Sequence, residues 1–243
     1  MILSYSDIET IAAGVMADFN SYFDAKENRL FSGPRFTPID QFAKDYLGLN
    51  IRFFNLSDDG SFCGLTTYAD TEFHLQIDGI AKTIQLKQNE VILDASFIKP
   101  DQIKKLCGKR RFTLAHECAH QILYQLESDQ QKDACKRMYS ERRLYTPREL
   151  KTKEDWNEWQ ANALGAAILM PWKEVEKALE FYRVHRPLTS YEGRFNYLDR
   201  YALSALCHTF GVSKSAMVIR LKQMGYLQEQ PASSYYDPLE VWP

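Results

Sequence analysis

No run of apolar residues in this 243-residue chain approaches the length needed to cross a membrane. Met1-Ile2-Leu3-Ser4-Tyr5 passes straight into a charged, helix-like stretch with no signal-peptide pattern, so a cytoplasmic protein with no membrane role is expected. Cysteine is sparse. Cys63, Cys107, Cys118, Cys135 and Cys207 are odd in number and scattered, with no C-x-x-C, which argues against a disulfide framework and predicts reduced thiols. Neither sign of charge is in marked excess: 30 basic and 32 acidic residues leave a net −2, which argues against a globally basic nucleic-acid binder. Histidine is also scarce, with five in the chain. A hydrophobic share of 45% is enough for one sizeable domain or two small ones.

Periodicity divides the chain. Ser6-Asp7-Ile8-Glu9 reads as a capping box, after which Ile8, Ile11, Ala12, Val15, Met16 and Phe19 recur at helical spacing. A short helix over 39–47 ends near Gly48. From Asn50 to about Asp94 the period becomes two, with short strands at 51–54, 63–68, 73–77, 83–86 and 91–93. Beyond that the pattern is almost wholly helical. The expectation is an α+β fold, zincin-like, with a small and mostly antiparallel sheet packed on helices. The expected segments are an N-terminal helical segment (1–48), a core (49–184), a helical, helix-turn-helix-like region (185–228) and an irregular tail (229–243).

The most informative residues are His116-Glu117-Cys118-Ala119-His120, an H-E-x-x-H motif. Phe112, Ala115, Ala119, Ile122, Leu123 and Leu126 surround it at the spacing of an amphipathic helix. Residues four apart share a helix face, so both imidazoles can address one metal ion, and Glu117 beside them can act as the general base of a zinc hydrolase. Histidines and a glutamate on a buried stripe are costly unless they are paired or ligating. Cys118 lies off the ligand face and reads as a small packed residue.

A third ligand is needed, and the helix-like segment 154–170 offers candidates. Thr152 can cap its start and Pro171 marks its end. Glu158, Asn162 and Gly165 share a face. Glu158 can ligate, Asn162 can hydrogen-bond the first helix as a supporting group, and Gly165 suggests close helix approach. Glu154 and Asp155 are rival acids that also suit the first turn of a helix.

These residues resemble the ImmA/IrrE family of zinc metallo-endopeptidases, which carry a gluzincin-type site. Three blocks carry the resemblance: residues 111–120, Arg-Phe-Thr-Leu-Ala-His-Glu-Cys-Ala-His; Glu158-Trp159-Gln160-Ala161-Asn162 followed by Ile168-Leu169-Met170-Pro171; and Phe210-Gly211-Val212-Ser213 with Ala216 and Arg220-Leu221. Cys118-Ala119 stands where the family usually has Leu-Gly, and Leu164-Gly165 where Phe-Ala is common. The resemblance implies Glu158 as the third metal ligand with His116 and His120, Glu117 as the base, and Zn²⁺ as the cofactor, although Mn²⁺ or Fe²⁺ also suits two imidazoles and a carboxylate. It further implies a narrow protein substrate, often a helix-turn-helix transcriptional repressor, cleaved in a stress or mobile-element response.

Several other residues are candidates. His208, Tyr124 and Tyr145 are rivals for stabilising the transition state. His74 alternates with Phe73, Leu75 and Ile77 and reads as an exposed strand residue or part of a peptide-binding surface. Lys104 to Arg143 holds ten Lys or Arg against five acids, which fits a solvated face or a surface for nucleic acid or an acidic partner. Residues 203–225 look like a helix-turn-helix capped by Ser213, in which Lys214, Arg220 and Lys222 could meet phosphates. The competing reading is therefore a DNA- or partner-binding regulator that keeps a metal site without general protease activity.

Overall fold

The computed structural model describes residues 2–27, 33–58, 61–128, 132, 137–141, 152–237 and 239, with backbone alone for 25–27 and 137–141. The chain forms two compact units, one built from 1–28 and 38–169, the other from 29–37 and 170–243. The fold is α+β, with seven helices among the described residues.

In the first unit, α1 (Tyr5–Glu27) buries Ile8, Ala12, Met16 and Phe19, a stripe three and four residues apart. Its capping box sits two residues earlier than the sequence pattern suggests. Ser4 Oγ accepts from Asp7 N at 3.2 Å, and Asp7 Oδ2 accepts from Ser4 N at 2.9 Å. Ser4, not Ser6, wins because capping from it starts the helix one turn before the apolar stripe. A short α2 (Ile39–Gln41) runs into a π-helical turn (Phe42–Tyr46), and Phe42 packs edge-on against Phe19, ring centroids 5.1 Å apart.

The main sheet has four strands in the order β1 (Asn50–Phe54), β5 (Glu90–Asp94), β2 (Phe62–Thr67) and β6 (Arg137–Glu141). β2 is antiparallel to both neighbours, whereas β1 runs parallel to β5. The intervening β3 (Thr71–Ile77) and β4 (Ile80–Leu86) form a separate antiparallel hairpin. Its two-residue turn, Asp78-Gly79, has φ of 51° and 73°, the primed geometry that matches strand twist. Phe73, Leu75 and Ile77 turn inward onto Leu56, Leu65 and Ile92, and His74 alternates outward, its Nδ1 2.9 Å from Thr83 Oγ1. The hairpin therefore roofs one face of the sheet.

The other face takes α3 (Ile103–Gln125), which packs on β2 and β5. Buried Gln121 fixes it to β2 by donating to Thr66 Oγ1 at 2.7 Å and to the Thr67 carbonyl at 3.0 Å. The basic stretch on α3 is largely used within the unit. Arg110 pairs with Asp40, Lys109 lies over Phe97, and Arg111 is buried. Next comes α4 (Lys153–Leu169), capped by Thr152 Oγ1 accepting from Asp155 N and ending just before Pro171. It packs on α1 and α3. Gln160, buried within it, accepts from Leu3 N at 2.6 Å and anchors the N-terminal residues.

The second unit contains α5 (Trp172–Phe181), β7 (Leu188–Tyr191), α6 (Tyr197–Phe210), α7 (Lys214–Gln223) and β8 (Leu227–Gln230). β7 and β8 pair in parallel, so the α6–α7 pair forms the crossover that such pairing requires. Neither strand was anticipated, and β8 gives the start of the tail regular structure where an irregular segment was expected. α6 and α7 meet at 102° across Gly211, which takes the left-handed conformation, and Ser213 caps α7. This is helix-turn-helix geometry. The tail docks through Asp237, which accepts from Tyr197 N at 2.7 Å and Leu239 N at 3.0 Å. Among the described residues no single helix is long and apolar enough to cross a membrane.

Arg220 corrects one expectation. It is 0% exposed, and its Nε donates to the Met170 carbonyl at 3.0 Å, so it stitches the interior of this unit and is not available to meet phosphates. Lys214 and Lys222 are exposed, and Lys222 lies 3.6 Å from Glu229. Arg220→Ala leaves a cavity and an orphaned carbonyl, and should lower the unfolding free energy in urea by roughly 2–4 kcal/mol. Lys214→Ala should cost less than about 1 kcal/mol in the same measurement.

Candidate metal centre

α3 carries His116 and His120 one turn apart, and α4 brings Glu158 to them. The close approach of these helices has a specific cause. A methyl group built on Gly165 would stand 3.1 Å from the Ala115 carbonyl carbon and the His116 nitrogen, so α4 lies directly on the α3 backbone at the first ligand. Gly165 forgoes about 1 kcal/mol of helix propensity relative to alanine and gains this contact.

The three side chains converge. Their nearest ligand atoms all lie within 4.8 Å of one another. His116 Nε2 is 2.9 Å from His120 Nε2, with the rings edge to face. The Glu158 oxygens are 3.2 Å from His116 Nε2 and 3.1 Å from His120 Nε2. All three residues are at most 5% exposed. Neither Glu158 oxygen receives a well-aligned hydrogen bond, and His116 Nδ1 is likewise enclosed without one. Buried carboxylate oxygens beside two imidazole nitrogens stabilise one another and also form a donor set that could hold a cation. A tetrahedral ion bonded at about 2.0–2.1 Å holds its donors about 3.3 Å apart, close to the spacings here.

The electrostatics agree. Burial pushes the Glu158 carboxyl up, but the His120 and His116 imidazoles together reverse this and hold it at about 2. On His120, burial prevails and lowers the pKa, with Glu158 opposing. On His116, burial acts in the same sense but is outweighed by Glu158, Glu117 and the side chain of Asn162, so its pKa is raised. Asn162 is half-buried one turn beyond Glu158. Burial raises the Cys118 thiol well above its ordinary value, so Cys118 is a packed neutral group.

Glu117 is completely buried, its carboxylate against the backbone of β2. Gly64 of β2 marks the contact. A methyl group there would stand 2.7 Å from Glu117 Oε1. The sequence reading treated Gly64 as an ordinary strand residue, although an isolated glycine inside a strand is itself a signal of close approach.

The rivals for a transition-state role fall in different places. Tyr124 stacks on Tyr68, centroids 3.9 Å apart and planes 2° from parallel, and donates its hydroxyl to the Lys132 carbonyl at 3.2 Å. Tyr68 in turn donates to the His120 carbonyl at 3.4 Å, so the stacked pair supports the end of the ligand helix. His208 is exposed on α6 of the second unit. Tyr145 lies outside the described residues.

Residues 108–222 match the Peptidase_M78 family model, described as the IrrE N-terminal-like domain. The match starts within α3 and ends within α7, so it includes both histidines, Glu117, Glu158 and the α6–α7 pair. No curated protein matches the chain.

Two outcomes are expected for zinc binding. Zinc at a hundred times its Kd should raise the unfolding free energy by about 2.7 kcal/mol, and Glu158→Ala should abolish that gain in a thermal melt. Gly165→Val should force α4 away from His116 and weaken zinc affinity about 10–100-fold in a chelator competition.

Proposed function

We propose, since residues 108–222 match the IrrE N-terminal-like peptidase domain, that the chain is a member of the ImmA/IrrE peptidase family and a zinc-dependent endopeptidase that cleaves a specific regulatory protein, of the helix-turn-helix repressor kind. The observation that carries this reading is the buried convergence of His116, His120 and Glu158, with a fully buried carboxylate, Glu117, on the same helix as the two imidazoles.

His116, His120 and Glu158 hold the ion, and Asn162 orients the His116 ring. When bound, a divalent ion here polarises a peptide carbonyl and lowers the pKa of water toward neutrality. Glu117 takes the proton from the attacking water and passes it to the departing amine, so one carboxylate serves as base and then as acid. Its burial keeps bulk water from competing for that proton and strengthens its interaction with the ion. Zinc is preferred because two imidazoles and one carboxylate leave a coordination position open in a tetrahedral site.

The test is to incubate the purified protein and zinc with a helix-turn-helix repressor, one encoded by a neighbouring gene, and to map products by mass spectrometry. A single cut that a chelator suppresses is expected. Glu117→Gln should retain zinc and the wild-type melting temperature while losing roughly 10²–10⁴-fold in kcat. Cleavage by that variant at the wild-type rate would sink the proposal.

A further inference from the structure

Gly64 lies in the middle of β2, enclosed on both sides, since its backbone pairs with Leu93 of β5 and Ser140 of β6. The register shifts between Phe62 and Gly64, so an irregularity in the ladder falls directly beside it. A glycine weakens a strand interior, because it contributes no packing and loses the most backbone freedom on folding. What it gains here is space. A Cβ at this position would stand 2.7 Å from Glu117 Oε1, 2.8 Å from Thr113 Cγ2 and 3.3 Å from Glu117 Cδ. Thr113 and Glu117 are four apart on α3 and thus flank the glycine from one helix face.

The strand is poorly placed to give way. Paired partners hold it laterally, and Gln121 ties it to α3 through Thr66 and Thr67. Thr113 has little freedom either. It is β-branched on a helix, buried, and donates its hydroxyl to the Lys109 carbonyl at 3.0 Å. The group most able to move is the Glu117 carboxylate, at the end of three rotatable bonds.

We propose that Gly64 is a positioning residue for Glu117: the missing side chain in β2 is the recess in which that carboxylate is held. This rests on the reading of Glu117 as the proton carrier. Ordinary van der Waals contact would require Oε1 to retreat by several tenths of an ångström, and proton transfer is sensitive to such displacements. The nearest atoms around the recess belong to Glu117 and Thr113 and to none of the three residues His116, His120 and Glu158.

The experiment compares the zinc-loaded wild-type protein with Gly64→Ala. The variant should bind zinc with wild-type affinity in a chelator competition and keep KM within about threefold, while kcat falls roughly 10–100-fold. A second measurement does not depend on turnover. With Thr113→Ser removing the methyl contact in every variant, Gly64→Ala should lower the melting temperature when Glu117 is present, and should lower it much less when Glu117→Ala has emptied the recess. If Gly64→Ala fails to fold, Thr113→Ser in the same chain relieves the methyl contact and carries both measurements. Wild-type kcat in Gly64→Ala, or an equal melting-temperature loss with and without the Glu117 carboxylate, overturns the proposal. If the wild-type protein cleaves nothing, the peptidase reading fails, and the melting-temperature coupling between positions 64 and 117 still decides whether the recess holds the carboxylate.

Discussion

Two imidazoles and a carboxylate share one buried place in this protein, and the first unit is arranged around making that tolerable. An isolated buried carboxylate is far too costly to persist. Glu158 persists because His116 and His120 face it within about hydrogen-bonding distance, in a group that could hold a metal ion. The rest follows as support. Gly165 lets α4 lie on the backbone of α3, Gln121 ties α3 to the sheet, and the Tyr68–Tyr124 stack holds the end of the histidine-bearing helix. An ion bound by such a group would stabilise the native state, because the site exists only there.

The second unit separates shape from chemistry. Its α6–α7 pair has the angle, the glycine turn and the serine cap of a nucleic-acid-binding motif. Yet the arginine that would have read as a phosphate contact is the largest fully buried side chain among the described residues, bound to a backbone carbonyl. A helix pair of this form serves here as a crossover between two parallel strands, and fold alone is a weak guide to what a surface binds.

The ligand helix, the capped α4 and the five strands between 50 and 94 were legible in the sequence because each signal is local. The spacings of His116 and His120, Thr152 with Asp155, and the alternation around His74 need no distant partner to be read. The position of Glu158 against Glu154 was open on spacing, and the fold decides which acid meets the imidazoles. What stayed hidden depends on non-local pairing. β6 arises from a charged stretch with little strand pattern, β7 and β8 are only four residues each, and the parallel β1–β5 pairing joins segments about 40 residues apart. Arg220 was misread because a basic residue on a short helix gives no local sign of being enclosed. Gly64 was passed over because the object it accommodates lies 53 positions away on another element.

β6 has a consequence for how this protein behaves in solution. It covers the open edge of β2, a strand whose residues from Cys63 to Thr67 are all buried. Without it, a row of unpaired backbone donors and acceptors flanked by apolar side chains would face solvent, the kind of edge on which separate molecules stack into aggregates. By pairing with that edge, residues 137–141 leave no free strand there for a second copy of the sheet to join.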